Sequence, residues 1–191
     1  MSAVIPETAS SYFYYPRPVG VVGVADPARA SVNFATATWV TPLASNPPLL
    51  GVCLSPQTYT YHLLLAAGEF TLSFVEHQHA ALVARIGRLS GREVDKVKTL
   101  GLEVRSAQTI GGGFLAEAYV AAECVLSSRH QLGDQTLMVG EVQRVHASEE
   151  VFDELGVLRV DRICPLLYLG GGCFVGTDPA SLVRTREMAS T

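Results

Sequence analysis

Asn33–Phe70 reads NFATATWVTPLASNPPLLGVCLSPQTYTYHLLLAAGEF, and it decides how the rest of the chain is read. Val32 to Val40 is a hydroxyl-rich strand around Trp39, the only tryptophan. Thr36 and Thr38 fall on one face of it, because successive side chains in a strand alternate. Pro42 to Pro48 breaks that strand. Leu49 to Leu54 is continuously apolar and is predicted as a buried strand. Ser55-Pro56 turns the chain, Thr58 or Thr60 can cap a helix running to about Ala67, and Gly68 ends it. Phe70 to Val75 alternates again and is a strand.

Working outward, Met1–Tyr12 shows little periodicity. In Tyr14–Pro18, YYPRP, two prolines hold Arg17 on an extended segment. Val19 to Ala25 is an apolar strand, and Asp26-Pro27 turns it into the Val32–Val40 strand as a hairpin. Downstream, Leu82, Val83, Ile86 and Leu89 have helical spacing within Ala80–Leu89. A short helix follows from about Glu93 to Leu100, stopped by Gly101. Gly111–Gly113 is a flexible turn. Glu117–Ser127 and Leu137–Ala147 are long strands joined near Gly133-Asp134, a hairpin signal. Ser148–Leu155 is predicted as a turn or two of helix, and Ile163–Leu169 as a last strand. About seven strands and three short helices, without regular strand–helix alternation, predict a mainly β fold: an antiparallel barrel carrying a few short helices. No repeat or linker interrupts the chain, so 1–191 is expected to be a single domain.

Composition narrows the function. A length of 191 residues with 48% apolar and 17% charged residues fits one folded domain. The mean hydropathy of +0.26 suits either a large core or a buried subunit interface. The net charge of −4 comes without any run of Lys or Arg, so the footprint of a nucleic-acid binder is missing. No apolar stretch approaches the ~18 residues of a membrane span, and no basic-then-apolar leader opens the chain. Cys53, Cys124, Cys164 and Cys173 form no CxxC pair, which argues against cysteine zinc sites and thioredoxin chemistry. Free thiols in a reducing cytoplasm are the expectation.

Candidate chemistry concentrates in the opening stretch. A helix N-terminus exposes unpaired N–H groups, and Ser55, Thr58 and Thr60 add hydroxyls there, a suitable seat for a phosphate monoester. Ordinary capping accounts for the same residues. Thr36, Thr38 and Thr41 around Trp39 offer hydrogen bonds along a planar polar ligand, or simply a polar strand face. Asp95, Lys96 and Lys98 form a solvated charged face or a phosphate or ribityl contact. The five histidines have no HExxH and no third ligand at metal spacing, no Ser lies in GxSxG, and no GxGxxG or P-loop is present.

Taken in order, PRPVGVVGV, N-x-A-x-x-T-W-V, NPP, SPQTYTYHLL, GEF, SGREVDK, LGL, EAYVAAEC, GDQTLMVGEV and PLLYLGG resemble the flavin reductase-like family of FMN-binding split barrels, nearest its flavoredoxin-like branch. The resemblance spans about residues 14–175. It implies a six-stranded antiparallel split barrel with Greek-key character, a homodimer, FMN near the interface, and NADH or NADPH as transient donor. It implies that Thr38, Trp39, Val40 and Thr41 run along the isoalloxazine, partly through backbone groups. Ser55, Thr58 and Thr60 would approach the phosphate. Ser90, Arg92 and Lys96 would belong to a covering loop that reaches the flavin or the nicotinamide. Two departures stand out: Gln135 where the family often has His after Gly-Asp, and Thr36 where it often has Pro.

Two functions follow from the resemblance. One is an NAD(P)H-dependent oxidoreductase that reduces free flavin or another acceptor. The other is an FMN electron carrier reduced by a partner protein, which Gln135 and the lack of a dinucleotide motif favour. In either case the flavin carries the chemistry and no acid–base dyad is required.

Overall fold

Strand β2 (Gly20–Asp26) is buried on both faces, and its alternation divides the interior in two. Val22 and Val24 point into one cluster with Val52, Leu54, Leu64, Phe70, Leu72 and Met138. Val19, just before the strand, and Val21 point into another with Phe34, Val83, Ile86, Leu115 and Leu166. The run VGVVGVA is therefore apolar throughout because neither face meets water. Burying each such Val, Leu or Phe contributes about 1.5–3 kcal/mol. The structure is a computed structural model that describes residues 13–183 and 185; the weakly periodic stretch 1–12 lies outside them.

The main sheet has seven strands, all antiparallel, in the order β3-β2-β6-β9-β10-β5-β4. Its remaining members are β3 (Ser31–Ala37), β4 (Val40–Ser45), β5 (Pro48–Leu54), β6 (Glu69–Val75), β9 (Ala118–Leu132) and β10 (Gln135–Ala147). The break expected at Pro42–Pro48 is corrected, because β4 runs through Pro42. Proline lacks an N–H for the ladder, and β4 is an edge strand paired only with β5, where that loss is tolerated. The two edges, β3 and β4, are consecutive in the chain and joined by Thr38-Trp39. The Trp39 carbonyl accepts from the Cys53 amide at 2.9 Å, holding this joint against β5.

Helix α1 (Tyr59–Ala67) follows the predicted punctuation. Thr58 is its N-cap, and Gly68 closes it at φ 69°, a left-handed conformation that glycine adopts without cost from a Cβ. Helix α2 (Ala80–Arg88) lays Val83 and Ile86 on β3. Helix α3 (Lys96–Leu100) starts later than the pattern suggested, because Asp95 caps it by accepting the Lys98 amide.

Gly133-Asp134 makes the two-residue turn between β9 and β10, with Leu132 paired to Gln135. Both strands outrun their predicted lengths. Two small sheets complete the molecule. One pairs β7 (Val104–Ser106) with β8 (Gly113–Leu115). The other places β11 (Leu167–Gly170) between β1 (Arg17–Pro18) and β12 (Cys173–Val175). The expected helix at Ser148–Leu155 is instead a set of turns with one isolated bridge, Phe152 to Leu158.

The turn between β7 and β8 is pinned from the sheet by Glu123, a fully buried carboxylate. Burial alone would raise its pKa. Hydrogen bonds from Thr109, Gln108 and His146 outweigh that and hold it at about 2. Among the described residues no helix is long and apolar enough to cross a membrane.

Candidate functional site

Three chambers run together along β3, and Thr36 lines all of them. The first, at the start of α1, measures about 360 Å³ and is walled by Thr58, Tyr59, Thr60, Ser90, Arg92 and Lys96, among others. The middle one, about 280 Å³, lies beside the β3–β4 joint, with Thr38, Trp39, Cys53, Ser55 and Gln135 in its wall. The third, about 460 Å³, lies beyond Trp39 against α2 and β12.

The first chamber carries a buried cation. Lys96 is only 5% exposed. Its ammonium donates to the carbonyls of Phe34, on β3, at 2.7 Å and Ile86, in the last turn of α2, at 2.8 Å. An ammonium has three N–H groups, so one remains. No carboxylate pairs with it among the described residues, and burial pushes its pKa down to about 8. A buried cation satisfied only by carbonyls is electrostatically incomplete.

The hydroxyls around it divide by what they already do. Thr58 donates to the Ser55 carbonyl and accepts the Tyr61 amide, so capping uses its proton. Thr60 is buried and accepts from the Asn33 amide group at 2.8 Å, which leaves its own proton to donate. Ser55 and Ser90 likewise accept backbone amides, from Gln57 and Arg92, and keep a proton each. The first turn of α1 adds N–H groups that lack helical partners.

The cover over this chamber is fastened by Arg92 and by residues the sequence did not single out. Arg29 donates to the Asp26 carboxylate at 2.9 Å, to the Tyr59 hydroxyl at 3.3 Å and to the Arg92 carbonyl at 3.0 Å. Tyr59 donates to the same Asp26 oxygen, and Asp26 is 2% exposed. Arg92 reaches across to the Gln57 carbonyl. Gly91 lies so close to Asn33 that a Cβ would stand 2.0 Å from its side-chain oxygen. Only glycine lets the cover descend this far.

In the middle chamber, burial raises the pKa of the Cys53 thiol, with Arg17 opposing, so Cys53 stays protonated near neutrality. Trp39 donates its indole N–H to the Tyr15 hydroxyl at 3.1 Å. Of the residues expected at a site, Thr38, Trp39, Ser55, Thr58, Thr60, Ser90, Arg92 and Lys96 line the chambers. Val40 packs against the core beneath and accepts from Arg17 through its carbonyl, and Thr41 is exposed on β4.

Comparison with known proteins bears on the family and the fold. The model of the flavin reductase like domain matches residues 12–176. An FMN-binding protein from Thermus thermophilus, solved with 1-cyclohex-2-enone and with p-hydroxybenzaldehyde, is 35% and 34% identical in the two structures. The TM-score is 0.84 in both, over 96% of this chain and 99% and 100% of that one. The actinorhodin polyketide dimerase of Streptomyces coelicolor is 32% identical over 158 residues, covering 82% of this chain and 84% of its own. The flavoredoxin of Desulfovibrio vulgaris shares the fold at 23% identity, with a TM-score of 0.84 over 98% of this chain and 100% of its own. With uncharacterized relatives from Archaeoglobus fulgidus and Aeropyrum pernix, the match spans 64% and 58% of their lengths. The ordered motifs, the antiparallel sheet and the matched domain together make this chain a member of the flavin reductase-like split-barrel family, which includes the flavoredoxins.

Proposed function

We propose that this protein is an FMN-dependent oxidoreductase that takes reducing equivalents from NADH or NADPH and passes them to free flavin or a small organic acceptor. The observation that carries the reading is the buried Lys96 ammonium, without a carboxylate partner, in a hydroxyl-lined chamber that opens into a slot beside Trp39. A phosphate monoester with a planar ring at its other end suits both halves.

In this reading Lys96, Thr60 and Ser90 hold the phosphate with the first amides of α1, and Arg92 covers it. Thr36 lines the passage between the two halves. Thr38, Trp39 and Ser55 flank the ring, with Val40 and Thr41 contributing through the backbone. FMN, when bound, supplies the hydride and electron transfer. The chain's task is to bind it, orient it and keep water from one side of it. The unsaturated carbonyl compounds bound by the Thermus relative support a small carbonyl acceptor. Exposed Val125, Leu132 and Val145 on the β9–β10 ribbon support a homodimer, which we place in the cytoplasm.

A second reading has its own observation. Gln135, a neutral amide that cannot serve as an acid near neutrality, lines the middle chamber. It favours an electron carrier reduced by a partner protein.

The test is an absorption spectrum after loading with FMN and desalting, followed by anaerobic NADH and then NADPH. A retained flavin band that bleaches with one nicotinamide is the expected result and names the donor. A band that bleaches only with dithionite selects the carrier. A colourless protein whose affinity for FMN is the same in Thr60→Ala and Ser55→Ala overturns the phosphate placement.

A further inference from the structure

The third chamber is larger than the seat assigned to the phosphate and differs from it in kind. Tyr15, Trp39, Tyr168 and Phe174 give it aromatic walls, and Val83 and Ala84 of α2 close one side. Tyr168 packs on Phe174 at 5.1 Å between centroids and on Tyr15 at 5.9 Å. Its volume of about 460 Å³ falls within the ~300–1,000 Å³ usual for small-molecule sites. Flat walls of this kind select flat ligands through stacking and edge contacts.

Its polar groups have one sign. Arg88, at the end of α2, lines both this chamber and the first one, and no hydrogen bond or ion pair engages its guanidinium among the described residues. No Asp or Glu lies in the wall. Tyr168 accepts the Gly172 amide through its hydroxyl oxygen, so its proton is left to donate. A planar fork of donors next to an acid-free aromatic pocket matches a carboxylate. It disfavours a cationic ring such as oxidised nicotinamide.

We propose that this chamber binds a planar aromatic carboxylate, its ring between the aromatic walls and its carboxylate on Arg88 and the Tyr168 hydroxyl. The inference deepens the flavin reading, because the chamber shares Thr38 and Trp39 with the slot assigned to the isoalloxazine. The binding itself needs no flavin.

The experiment titrates the full chain, with and without FMN, with 2-naphthoate and with its neutral analogue 2-naphthamide. Calorimetry gives the affinity, and fluorescence of Trp39, the sole tryptophan, reports the location in the flavin-free sample. The expected result is naphthoate binding that perturbs Trp39 and weakens about tenfold in Arg88→Gln, while the weaker binding of the amide is unchanged. Ala84→Trp, which fills the chamber, is expected to abolish naphthoate binding.

Naphthoate that fails to bind, binds no better than the amide, or binds equally to Arg88→Gln overturns the proposal. So does binding that survives in folded Ala84→Trp. FMN retention is measured on the same samples. If FMN does not bind and naphthoate binds in an Arg88-dependent way, the flavin reading falls and the chamber assignment stands. If FMN binds and naphthoate does not, the reverse holds.

Discussion

The two ends of the cleft are held together by different forces. At the end assigned to the phosphate, Asp26, Arg29, Asn33, Tyr59, Thr60 and Lys96 form buried or half-buried polar links among β2, β3, α1, α2 and α3, and Arg29 extends them to the cover loop. At the aromatic end, ring packing between the segment before β1 and the β11–β12 hairpin makes the wall, and Arg88 stays unpaired among the described residues. Polar links are directional and cannot shift without leaving a buried group unsatisfied, whereas ring contacts tolerate sliding. One end is suited to a constant group and the other to ligands that vary. Affinity for the cofactor and choice of acceptor should therefore respond to different mutations.

Breaking the polar end should have the largest effect. Lys96→Met is expected to weaken FMN binding roughly 10- to 100-fold, the loss of one charge-assisted hydrogen bond in a dry site. Naphthoate affinity should be unchanged. Equilibrium dialysis of both ligands checks it, and an equal loss of both would erase the distinction.

pH sharpens the same contrast. Burial holds Lys96 at about 8 against its ordinary 10.5. Between those values the unfolded chain carries the extra proton, so the Lys96 contribution to the stability of the flavin-free protein rises with pH there. A bound phosphate favours the protonated form. FMN affinity is thus expected to fall as pH rises beyond about 8, by up to about tenfold per unit. Lys96→Met should lack both trends in thermal melts and FMN titrations.

A smaller effect is expected from Arg29→Met, which unties the cover from the β2–β3 turn. FMN should leave severalfold faster in stopped-flow displacement, with little change in the spectrum of bound flavin. At the other end, Phe174→Ala should alter FMN affinity less than about twofold while loosening the aromatic ligand, since a removed ring face costs stacking alone.

Local grammar made much of this legible. Thr58, by its hydroxyl, and Gly68, by its lack of a Cβ, bracket α1, and Gly133-Asp134 turns β9 into β10. Pro42 misled, because a proline ends a central strand but is harmless on an edge, and edge position is a property of the whole sheet. The polar run Ser128–Gln131 carries no apolar alternation, yet it extends β9 because β10 pairs with it residue by residue.

The spacing alone leaves Lys96 open between a solvated face and a phosphate contact. A five-residue helix has too few turns to reveal its inner side, and packing against β3 and α2 turned Lys96 inward. Asn33 and Tyr59 lie in the opening stretch, but they and Arg29 give no signal beyond their types. Tyr15, Tyr168 and Phe174 meet only because β1 pairs with β11.

That pairing, Arg17 opposite Tyr168, has a practical side. It bundles two segments remote in sequence, 13–18 and 165–175, into one wall. Exchanging both segments together between relatives would transplant acceptor preference as a cassette, leaving the flavin seat with its original owner. Exchanging either alone would pair mismatched halves. Selectivity in such a molecule can be re-engineered, or drift, along its own axis.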